Sequence, residues 1–110
     1  MILSTHVLDT ARGVPAAGIA ITLYALDGQT RTPIAHATTN ADGRTDAPLA
    51  TSLPGGTYEL CFCVGPYFAG TATSAFYTDV PVRFTLAADG GRCHIPLLLS
   101  PWGYSTYRGS

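Results

Sequence analysis

The sequence predicts an all-β fold, an antiparallel β-sandwich of seven to eight strands with one short helix. Three observations lead there. Short runs rich in β-branched and aromatic residues recur along the chain, as suits a pleated, half-buried surface. Clusters of Gly, Pro, Asn and Asp punctuate them. Seven or eight such runs fall within 110 residues, enough chain for one packed core and one domain, residues 1–110.

Each element follows from local pattern. "ILSTHVLD" (2–9) is a strand that ends at the Gly/Pro loop "TARGVPAAG". "IAITLYALD" (19–27) is a second, broken at Asp27-Gly28, and "PIAHATTN" (33–40) a third, ended by the turn "NADG" (40–43). A short segment near Arg44–Asp46 is expected to pair as a fourth. "TYELCFCV" (57–64) alternates, with Tyr58, Leu60 and Phe62 on one face and Glu59, Cys61 and Cys63 on the other. "GPYFAGTATSAFYTD" (65–79) lacks alternation and is the place for the helix. "VPVRFTLA" (80–87) puts Val80, Val82, Phe84 and Leu86 on one face, and "RCHIPLLLS" (92–100) and "WGYSTYR" (102–108) complete the set.

The run Leu97-Leu98-Leu99 places apolar groups on both faces of its strand. A two-layer sandwich has one inner face, so a second protomer is expected over the outer one. Charged residues are only 12% of the chain against 46% hydrophobic, which excludes a disordered segment and agrees with a partly covered surface. A net charge of −1 offers nucleic acid or an anionic membrane no electrostatic purchase. The three cysteines, Cys61, Cys63 and Cys93, form no disulfide or metal pattern, and no leader or membrane-spanning stretch is seen, so a cytoplasmic protein is expected.

Candidate chemistry is sparse. His6 shares a strand face with Ser4 and Leu8, His94 with Pro96, Leu98 and Ser100, and His36 with Ile34 and Thr38. There is no Gly-x-Ser-x-Gly elbow and no phosphate loop. Cys93 and His94 point to opposite faces of one strand, so they do not share a metal. The polar ending, Tyr107-Arg108-Gly109-Ser110, is dense in hydrogen-bonding groups for a chain terminus.

Taken in order, "LSTHVLDTARGVPAAG", "TNADGRTD" and "HIPLLLSPWGYSTYRGS" resemble the transthyretin-related 5-hydroxyisourate hydrolases over nearly the whole chain. Transthyretin proper shares the fold but lacks the Tyr-Arg-Gly-Ser ending, so the resemblance is to the enzyme branch. It implies a transthyretin-like sandwich and hydrolysis of 5-hydroxyisourate without cofactor or metal. It also implies a homotetramer with sites between its dimers. The family's catalytic positions fall on His6, Arg44 and His94, and its terminal tetrapeptide falls on Tyr107, Arg108, Gly109 and Ser110 as substrate-binding residues. One departure is Cys93, where many relatives carry an aromatic residue or histidine. His36 matches no functional position.

Those residue types suit ring-amide hydrolysis. An imidazole with an ordinary pKa of about 6.5 can accept a proton from water at neutral pH. A guanidinium can hold the oxygens of a planar substrate and stabilise the oxyanion. The sequence leaves open which histidine is the base. The competing expectation is a non-catalytic transthyretin-like protein that binds a small molecule.

Overall fold

The computed structural model describes residues 1–71, 73–88 and 90–109. Among them are eight strands, β1 (Ile2–Asp9), β2 (Val14–Pro15), β3 (Ala20–Asp27), β4 (Thr30–Thr38), β5 (Gly56–Cys63), β6 (Asp79–Leu86), β7 (Arg92–Ser100) and β8 (Gly103–Thr106), and one helix, α1 (Gly65–Ala69). They form two four-stranded sheets ordered β2-β1-β7-β8 and β4-β3-β5-β6. The expected sandwich and its short helix are present.

Strand alternation builds the core. In β1 every second residue, Leu3 to Asp9, is buried, and Ile2, Ser4, His6 and Leu8 face outward half-buried. Leu3, Val7, Ile21, Leu23, Leu60, Phe62, Val80, Leu97 and Leu99 lose essentially all exposure. At roughly 1.5–3 kcal/mol for each fully buried large aliphatic or aromatic side chain, these contacts hold the two sheets together. The leucine run splits as alternation requires: Leu97 and Leu99 enter the core and Leu98 stays half-buried on the outer face. Asp9, buried at the end of β1, accepts hydrogen bonds from the amides of Ala11 and Arg12 and from the Tyr67 hydroxyl. Those donors are what a buried carboxylate needs.

Three features depart from the sequence reading. β1 and β7 pair in parallel, from Ile2↔Arg92 to Asp9↔Leu99. Both strands start at one end because the chain crosses between the sheets after β6, and Gly90 and Gly91 take positive φ at that crossing. Part of the loop after β1 pairs as β2 against Leu8 and Asp9. Arg44–Asp46 is not a strand but part of a closed turn. The Asn40 side chain accepts the amides of Asp42 and Arg44 and donates to Asp46, which closes the chain on itself. The chain then runs beside β1 and bridges it at Leu3↔Ala50.

That turn is docked on β1 through Gly43. The Val7 amide donates to the Gly43 carbonyl at 2.8 Å. Gly43 has a φ of +74°, and a Cβ there would lie 2.3 Å from the Val7 carbonyl oxygen. Only glycine lets the turn lie this close.

The outer face of the second sheet holds a charge that alternation alone would expose. Glu59 is 2% exposed and accepts from Arg31 at 2.6 Å and Arg83 at 2.9 Å. Arg31 also lies over the Tyr24 ring. Burial pushes the Glu59 carboxyl up, but the hydrogen bonds and charges of the two arginines outweigh it and leave the pKa below its ordinary value. A depressed carboxyl stabilises the fold above its unfolded pKa, and that contribution disappears as pH falls through the folded value. Glu59→Gln is expected to cost about 1–2 kcal/mol at pH 7, discounted for the solvent around the arginines. In denaturant melts its deficit against wild type shrinks as pH drops below about 4.

Candidate active site

The outer face of the β2-β1-β7-β8 sheet gathers the polar residues singled out in the sequence. The parallel register sets Ser4 opposite His94 and His6 opposite Pro96. Side chains level with each other across a ladder share a face, so Ser4, His6 and His94 lie together on the side away from the core. The docked Asn40–Arg44 turn brings Arg44 to the same face. Arg44 and Ser4 line one open pocket of about 180 Å³ with Thr5, Thr45, Asp46, Ala47 and Pro48.

His6 is tied to the turn. Its Nε2 lies 2.9 Å from the Asp42 carbonyl oxygen. A carbonyl only accepts, so Nε2 carries a proton, and in the neutral ring Nδ1 keeps its lone pair. His94 is tied to the Ser4 hydroxyl, with Nδ1 at 2.8 Å from Oγ. Burial lowers the His94 pKa, and the charges of Arg44 and His6 lower it further. The ring is therefore neutral at pH 7.

Gly109 reaches the same place. It bridges to His94, its amide donating to the His94 carbonyl at 2.7 Å. A Cβ at Gly109 would lie 2.9 Å from His94 Cδ2, inside contact distance, so the backbone lies against the ring edge. Tyr107 and Arg108 line a different groove, of about 180 Å³, at the open edge beside β6 and β8, with Phe84 and Ile95 among its walls. Arg108 makes no ion pair with any described residue. Ser110, grouped with the tail in the sequence, lies outside the described residues.

The other candidates sit elsewhere. His36 lies on the outer face of the second sheet, 3.2 Å from the Thr22 hydroxyl. Cys61 and Cys63 are half-buried on that face; burial and then Asp79 push both thiols up, which keeps them protonated. Cys93 is in the core, opposite in direction to His94. Among the described residues no three His, Cys, Asp or Glu side chains cluster as a metal ion requires. No described helix is long and apolar enough to cross a membrane.

Two positioning groups were not singled out in the sequence, Ser4 and Asn40. Ser4 carries a weak signal, as it is two residues from His6 and on its face. Asn40 reads only as a turn residue.

The arrangement offers a bare imidazole nitrogen, a guanidinium and a neutral second imidazole on one open face. These can take a proton from water and stabilise an oxyanion. Comparison with known proteins shows what the chain is similar to. A 5-hydroxyisourate hydrolase of Deinococcus radiodurans is 55% identical over 98% of this chain and 95% of its own length. The structure of Klebsiella pneumoniae 5-hydroxyisourate hydrolase superposes with a TM-score of 0.86 and 37% identity over the full length of both chains. An (S)-allantoin synthase structure matches 99% of this chain with a TM-score of 0.89 and 40% identity, but the match spans only 43% of that protein. The model of the HIUase/Transthyretin family matches residues 3–109, and to that family the chain belongs.

Proposed function

We propose that the chain hydrolyses 5-hydroxyisourate to 2-oxo-4-hydroxy-4-carboxy-5-ureidoimidazoline, with His6, Arg44 and His94 as its catalytic residues. The observation that carries this reading is their convergence on one sheet face, although His6 and His94 lie far apart in the chain. The relatives' names supply the substrate. The chemistry balances within the side chains present. Water's oxygen bonds to the ring carbonyl carbon while Nδ1 of His6 takes its proton. Arg44 and the N–H of His94 hold the resulting oxyanion. The carbon–nitrogen bond then breaks, and the His6 imidazolium returns the proton to the departing ring nitrogen. One group thus serves as base and then acid, worth ~10²–10⁴-fold.

We assign Tyr107, Arg108, Gly109 and Ser110 to substrate binding; Gly109 supports this by meeting His94, whereas Tyr107 and Arg108 line a separate groove of this chain. Each site is completed by another copy in a homotetramer. The face carrying His94 also carries half-buried Leu98, an apolar group suited to a second copy, and β6 and β8 are the end strands of their sheets. We place this single hydrolase domain in the cytoplasm.

The test is decay of the ultraviolet signal of 5-hydroxyisourate generated from urate by urate oxidase. Wild-type protein should accelerate it, whereas a purely binding member of the family would leave it unchanged. His6→Ala and His94→Ala should each lower kcat at least a hundredfold with little change in Tm; wild-type rates in either would remove that residue from the chemistry. Gly109→Ala should lower kcat by tenfold or more at unchanged secondary structure, because the methyl group displaces the His94 ring or the tail. A histidine NMR titration should place His94 below the ordinary value of about 6.5. Arg44→Gln should move it upward, since removing a positive neighbour favours the imidazolium.

A further inference from the structure

We propose that Ser4 is a positioning residue whose hydroxyl donates to Nδ1 of His94 and so holds that ring with its proton on Nε2. Its catalytic meaning rests on the hydrolase reading; its geometry does not.

The hydrogen bond is short, 2.8 Å, and joins residues facing each other in the β1–β7 register. It is the one hydrogen bond the Ser4 hydroxyl makes among the described residues. A hydroxyl has a single proton, and here the nitrogen is the acceptor at hand. Burial and the charge of Arg44 keep the ring neutral, so it has one N–H and one bare nitrogen. With Nδ1 receiving from Ser4, the proton is on Nε2. The reverse arrangement would leave the serine proton without a described partner. Gly109 passes close by on another edge, where an added Cβ would lie 2.9 Å from Cδ2, which leaves the ring little room to turn on that side.

The tautomer divides the labour of the two histidines. His6 donates from Nε2 to the Asp42 carbonyl and offers Nδ1 as a lone pair. His94 offers Nε2–H as a donor. A neutral imidazole holds its remaining proton far more tightly than an imidazolium does, so His94 keeps its N–H through the reaction and adds to Arg44 at the developing oxyanion. Without Ser4 the ring is free to populate the other tautomer. It would then present a second lone pair where the oxyanion forms, and repel it.

Protein labelled with ¹⁵N-histidine reads the tautomer directly, with no substrate present. Above the His94 titration, wild type should show Nδ1 as the unprotonated and Nε2 as the protonated nitrogen. Ser4→Ala should show a mixture of tautomers and a kcat lowered about tenfold, a fraction of the 10²–10³ carried by a whole oxyanion donor. KM should stay within twofold. Ser4→Thr, which keeps the hydroxyl, should restore both tautomer and kcat. A wild-type ring protonated on Nδ1, or an alanine variant with the wild-type rate, overturns the proposal. Absence of turnover in wild type would defeat the hydrolase reading instead, and the spectrum would still decide what Ser4 does.

Discussion

The parallel pairing of β1 with β7 fixes the geometry of the site. A one-residue slip in either strand would exchange its faces. His94 would enter the core with Leu98 while Leu97 and Leu99 left it, and Ser4 would have nothing to bond. Apolar burial enforces the register. Leu3, Val7, Leu97 and Leu99 have essentially no exposure, and moving them outward would cost several kcal/mol in total at roughly 1.5–3 kcal/mol each. The core therefore specifies the register, and the register specifies which polar groups meet outside. The turn bearing Arg44 takes its position from the same strand, through Gly43 against Val7. Gly109 takes its position from β7 through the His94 backbone.

The two outer faces of the sandwich handle polar burial differently. On the second sheet, Glu59 has both carboxylate oxygens engaged by arginines, an arrangement in which all charges find partners. On the first sheet, the charges of Arg44 and His6 oppose protonation of His94. A half-buried ring whose protonation is opposed in this way suits chemistry more than stability. The first face is the one we propose as the site; on the second, Glu59 is braced by its two arginines.

Much of the fold was legible because strand alternation is local. Tyr58, Leu60 and Phe62 face the core as their spacing required, and Leu98 separates from its two neighbours as a period of two demands. Pairing partners were not legible, because the contact between Ser4 and His94 spans 90 residues and no local pattern encodes it. For the same reason the parallel ladder was unexpected. Arg44–Asp46 read as strand-like because the side chain of Asn40, which closes the turn, acts through hydrogen bonds that residue spacing does not reveal. The burial of Glu59 was hidden likewise, since its partners come from β4 and β6. At the site, His6, Arg44 and His94 stood out through the family resemblance more than through their own surroundings. Their convergence, and the part of Gly109 in it, required the three-dimensional arrangement.

The 90-residue span between Ser4 and His94 also bears on biosynthesis. β1 leaves the ribosome long before the strand that will lie beside it, while β3, β4, β5 and β6 can pair with neighbours already made. The second sheet is thus free to assemble early, and the first must wait for its central partner. Until then β1 has only β2 and the Leu3–Ala50 bridge along one edge, and its open edge and apolar inner face are the kind of feature that favours non-native association. In this molecule the moment of greatest aggregation hazard ends with the same event that sets Ser4 beside His94.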